Sequence, residues 1–84
     1  MKIKDNIAVS DSGFVFNPAT GDSFNLNNTG LEILRLIREG KNPEEITATV
    51  CEHYDTDEFT FGRYLEEFTA MLRHYGLLAS KDEQ

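Results

Sequence analysis

At 84 residues the chain has the length of one domain, and a domain of that size buries only about 60% of its unfolded surface, which leaves no room for an enclosed active-site cavity. Fifteen Asp and Glu against eight Lys and Arg give a net charge of −7, with no basic cluster to attract a phosphate backbone. Cys51 is the single cysteine, which excludes an intrachain disulfide. The opening "MKIKDNIAV" lacks a signal-peptide apolar run, and no stretch reaches membrane-spanning length. A cytoplasmic protein with a surface site is expected.

In chain order, Ile7 and Val9 alternate with polar neighbours, Ser12 and Gly13 make a turn, and Phe14, Val15 and Phe16 follow, which reads as a first hairpin. In "NPATGD" Asn17 hydrogen-bonds ahead, Pro18 presets φ, and Gly21 supplies the positive φ of a bulged hairpin loop. Counting by twos puts Phe14 and Phe16 on one face and Phe24 and Leu26 on one face, while Ser23 and Asn25 point the other way. One side of the sheet is core and the other is wet.

After Leu26 the period changes. Asn27 or Asn28 caps a helix over about 28–39, with Leu31, Leu34 and Ile37 at helical spacing and Gly40 as its stop. "NPEEI" starts a second helix with Asn42 as cap, Pro43 at the first position and Glu45 where a capping box wants a carboxylate; Ile46, Val50 and Tyr54 mark its buried stripe. From about Glu58, the series Phe61, Leu65, Phe68, Leu72, Tyr75 forms one stripe on a third helix ended by Gly76. Leu77 and Leu78 return to the core, and a polar tail begins at Ser80. Gly62 is out of place in that helix, costing about 1 kcal/mol against alanine; either the helix starts nearer Thr60 or a backbone passes close.

Chemistry-bearing groups do not assemble. Cys51 and His53 lie two apart on a helix, about 200° around its axis, and His74 sits on another element, so no metal site is expected. Cys51 has acidic neighbours that favour its neutral thiol. Glu66 and Glu67 diverge as adjacent helical residues, and "GDSF" lacks the second glycine and the strand-to-helix turn of a nucleophile elbow. An enzyme is not expected. As a winged helix, the third helix would offer DNA only Arg63 and Arg73 against Glu58, Glu66 and Glu67.

The third strand, Asp22 to Leu26, contains no proline and no lysine to guard its edge, so it invites a further strand. Main-chain bonds from Asp22, Ser23, Phe24, Asn25 and Leu26 would hold an added peptide, whose alternate side chains would then meet the third helix. There Tyr64 and Met71, seven apart beside Phe61 and Phe68, form an apolar ledge wider than the core stripe, and Arg63 is placed to pair an acidic peptide residue.

"GFVFNPATGDSFNLNNTGLEIL", "IREGKNPEEI", "HYDTDEF" and "LRHYGLL", in this order from about Val9 to Leu78, resemble the PqqD-like peptide chaperones, the recognition elements of ribosomally made, post-translationally modified peptides. The resemblance implies a winged-helix-like α+β domain, a three-stranded antiparallel sheet followed by three α-helices. Such a domain binds a precursor's leader peptide as an added strand against strand 3 and helix 3, presents it to a modifying enzyme, and catalyses nothing. In coenzyme PQQ synthesis that enzyme is a radical SAM protein. The "NPATG" form resembles stand-alone members encoded beside kinase-like proteins, and the acidic-aliphatic pair common in the family's third helix is replaced by Tyr64 and Leu65, so peptide specificity should differ from that of the PQQ members.

The expectation is therefore one domain over 1–79 with a polar tail over 80–84, a non-catalytic leader-peptide adaptor without metal, cofactor, nucleic acid or membrane, monomeric or weakly dimeric. The alternatives are a structural adaptor or dimerising subunit whose open edge meets a partner enzyme rather than a peptide, and a DNA-binding winged helix.

Overall fold

A computed structural model describes residues 2–79; the expected polar tail lies outside the described residues. Three strands, β1 (Ala8–Val9), β2 (Phe14–Asn17) and β3 (Asp22–Asn25), precede three helices, α1 (Asn28–Arg38), α2 (Pro43–His53) and α3 (Glu58–His74). The sheet is antiparallel in the order β1-β2-β3. This is the expected α+β architecture, with β3 on an edge.

Local chemistry starts each helix where the sequence places it. Asn27 accepts from the Gly30 amide at 2.8 Å and so caps α1. Asn42 and Glu45 exchange side-chain and backbone bonds of 2.8 and 3.0 Å, a complete capping box with Pro43 behind it. Asp57 accepts from the Thr60 amide at 2.7 Å and the Thr60 hydroxyl at 3.2 Å, which starts α3 at Glu58 and holds the Asp57 carboxyl below the ordinary aspartate range.

One core joins the layers. Val15 of the sheet packs with Ile33, Leu34 and Ile37 of α1, Ile46 and Val50 of α2, and the α3 stripe Phe61, Leu65, Phe68 and Leu72. Leu77 returns to it, its carbonyl accepting from Lys4 N at 2.9 Å, and Leu78 bridges Ile3.

Three expectations are corrected, and the facing of Phe14 and Phe16, which periodicity leaves open, is decided. Phe14 and Phe16 are 43% and 37% exposed, on the wet side of the sheet, while Val15 and Asn17 are buried. The reason is register: Val15 pairs with Phe24, and Phe14 with Asn25, so Phe24 shares its face with Val15. Tyr54 is no part of α2's buried stripe; it is the C-cap residue and exposed. Tyr75 likewise leaves the α3 stripe at its C-cap, 40% exposed. Gly62 lies inside an uninterrupted helix, and a Cβ built there meets nothing within 4 Å, so neither a late start nor a close backbone accounts for it.

Candidate functional site

The free edge of β3 can be read bond by bond. Leu26 N donates to Gly13 O at 2.7 Å, which makes Gly13 and Leu26 a hydrogen-bonding pair just beyond the last strand residue, Asn25. Antiparallel ladders alternate, so Val15 with Phe24 and Asn17 with Asp22 are bonding pairs, and Phe14 with Asn25 and Phe16 with Ser23 are not. The N–H and C=O groups of Ser23 and Asn25 therefore point away from β2, toward the open edge. Gly13 is required for this arrangement: its φ is +95°, and a Cβ on it would lie 2.4 Å from Leu26 O.

The helix beside that edge is α3, running antiparallel to β3. Phe24 and Tyr75 pack at one end with ring centroids 5.4 Å apart and planes tilted by 36°. At the other, Gly30 sits between Leu26 and Phe68: a Cβ on it would lie 3.4 Å from the Leu26 Cβ and 3.2 Å from the Phe68 ring. Asn17 fixes the Tyr75 end. Its Oδ1 accepts from Ala19 N at 3.0 Å within the hairpin loop, and its Nδ2 donates to Tyr75 O at 3.4 Å, tying the β2–β3 loop to the end of α3.

At about 100° per residue, Tyr64, Met71 and Tyr75 fall within about 40° of one another on the flank of α3 facing β3, beside the buried stripe. Tyr64 is 38% exposed and stacks on Phe61 and Phe68 at centroid distances of 6.1 and 6.2 Å. Met71 is half-buried against the core. The result is an apolar cleft with Phe24 and Leu26 on one wall and Tyr64, Met71 and Tyr75 on the other.

The ten candidate residues divide accordingly. Asp22, Ser23 and Asn25 are exposed, Phe24, Leu26 and Met71 half-buried, and Tyr64 accessible, all along this cleft. Phe61 and Phe68 are buried and support the ledge from beneath. Arg63 is exposed on the outer face of α3, about 100° around the helix from Tyr64, beside Phe59 and Glu67 and without an ion-pair partner among the described residues. Tyr75, which helical spacing assigns to the core, joins these candidates by its exposure and its contact with Phe24.

Elsewhere the chemistry stays dispersed. His53 Nδ1 lies 2.9 Å from Glu32, Cys51 is half-buried, and His74 meets the edge of Tyr75. No three His, Cys, Asp or Glu side chains are close enough to share a metal ion among the described residues. A broad depression lies between α2 and α3, lined by Glu44, Glu58 and Glu66 with Arg73 and by no residue of β3. Among the described residues no helix is long and apolar enough to cross a membrane.

Residues 13–78 match the family described as coenzyme PQQ synthesis protein D, PqqD. Among solved structures, the chain is similar to "TbiB1 in Complex with the TbiA(beta) Leader Peptide", with 36% identity, a TM-score of 0.86, and coverage of 95% of this chain and 96% of that one. It also shares the fold of "Lasso peptide synthetase B1 complexed with the leader peptide", at 18% identity, TM-score 0.83, and coverage of 94% and 96%. No match is found among curated proteins. The family match spans most of the chain, from the β2–β3 hairpin to the return of Leu78: this protein belongs to the PqqD family.

Proposed function

We propose that this protein is a non-catalytic adaptor that binds the leader peptide of a ribosomally made precursor as a fourth strand on β3 and presents it to a modifying enzyme. The carrying observation is the edge itself: Ser23 and Asn25 direct their backbone groups outward beside the apolar cleft of Tyr64, Met71 and Tyr75. Main-chain bonds supply sequence-tolerant affinity, and the cleft selects alternate side chains. The description of the 36% identical TbiB1 with a leader peptide supports the same ligand class. In this reading the enzyme served is of the radical SAM or kinase-like type, the compartment is the cytoplasm, and Arg63 pairs an acidic residue where the peptide leaves the cleft.

Calorimetric titration with the TbiA(beta) leader peptide, and with leaders translated from neighbouring reading frames, tests the proposal. One-to-one binding that Tyr64→Ala weakens supports it. Self-association of the domain with no peptide binding favours a structural adaptor instead.

A further inference from the structure

The core lies on one side of the sheet, where Val15 is buried and Val9 and Phe24 pack against it. Among the described residues nothing covers the other side. There β2 presents Phe14 and Phe16, both exposed, and their cross-strand neighbours are small and neutral. Ala8 and Ser23 flank Phe16, Asn25 lies beside Phe14, and on the opposite flank Ser10 N donates to Phe14 O at 2.9 Å. All of these residues are exposed, and none is charged, although 27% of the chain is. Strand formation does not call for two phenylalanines here, since threonine suits a pleated surface as well and leaves no ring in water.

Three strands about 4.8 Å apart, the longer ones of four residues, make a face of roughly 200 Å². Two copies meeting through it would bury about 400 Å² in total, far below the roughly 1,200 Å² of a stable specific interface, so a second copy does not fit as the occupant. A fourth strand enlarges the face. Added to β3, it points alternate side chains into the cleft and the others to the Phe14 side, where Ser23 and Asn25 are too small to screen them from a partner. The uncovered surface then belongs partly to the domain and partly to the peptide. A charged surface set down on Phe14 and Phe16 would lose water without gaining an ionic partner. Resting on the strand-addition reading above, we infer that the Phe14 and Phe16 face docks the modifying enzyme, through an uncharged, apolar patch of that enzyme, and that the bound leader completes the docking surface. Enzyme and leader are then coupled, each tightening the binding of the other by the same factor. The two faces of β3 divide the work: the α3 side holds the leader, and the Phe14 side hands it over.

The test uses the purified domain with the leader and the modifying enzyme translated from neighbouring reading frames. Calorimetric titration measures the enzyme against the empty and the leader-loaded domain, and the leader against the domain alone. The inference predicts that the enzyme binds the loaded domain about ten-fold or more tighter than the empty one. Phe14→Thr and, separately, Phe16→Thr keep strand propensity while removing a ring. Each weakens the enzyme's hold on the loaded domain about ten-fold or more and leaves leader affinity unchanged, with thermal unfolding checking that each variant is folded. Folded variants that hold the enzyme as the wild type does, or an enzyme that binds the empty domain equally well or the loaded domain not at all, overturn the docking face and leave strand addition standing. Wild-type dimers in sedimentation that either variant abolishes overturn it in favour of a second copy. A leader that shifts no β3 amide of the isotope-labelled domain overturns both readings.

Discussion

Tyr64 and Phe68 are one helical turn apart and stack on each other, yet their substitution has opposite meanings. Tyr64→Ala removes an accessible ring and should weaken leader binding by about 1 kcal/mol or more if it anchors the peptide, with a small change in Tm. Phe68, 7% exposed, belongs to the core, and Phe68→Ala should cost about 3–5 kcal/mol of stability, a large share of a small domain's total. Paired binding and thermal-unfolding measurements on the two variants check this. Gly62 supplies a prediction of the other sign. It is helical, has no positive φ, and faces open space, so Gly62→Ala should stabilise the domain by about 0.5–1 kcal/mol, raising Tm by a few degrees.

At the scale of the element, β3 carries two kinds of backbone position. Asn25 N–H points to the open edge and Phe24 N–H to β2, by the alternation that starts at the Leu26 to Gly13 bond. Asn25→Pro should therefore leave the fold intact and cut leader binding, whereas Phe24→Pro removes a ladder bond and should destabilise the sheet. Circular dichroism melts alongside peptide titrations separate the two; equal loss of fold in both variants would contradict the assignment of the edge. How far such detail could be read from sequence varies by element. The caps of α1 and α2 and the ledge of Tyr64 and Met71 were legible because they depend on residues three to seven apart. The facing of Phe14 and Phe16 was not, because periodicity groups residues within a strand but only the register with β3 decides which group turns inward. The Asn17 to Tyr75 bond joins residues distant in sequence, and no local pattern records it.

Across the whole molecule the charge of −7 acts on any approaching peptide. Complementary potentials change encounter rates more than final affinity, so a leader bearing Lys or Arg should associate more slowly as salt shortens the screening length from about 10 Å at 0.1 M to about 3 Å at 1 M. Stopped-flow association rates over that range measure the effect, and faster association at high salt would contradict it. The same molecule-wide view explains why the proposed function needs no enclosed cavity: one small core holds a sheet edge and a helix flank together, and in that reading a peptide completes the sheet.

The most direct measurement is amide hydrogen exchange, residue by residue along β3, with and without bound leader peptide. Strand addition predicts that Ser23 and Asn25 gain protection on binding, while Phe24, already bonded to β2, changes little. Saturating peptide that leaves the exchange of Ser23 and Asn25 unaltered would contradict it.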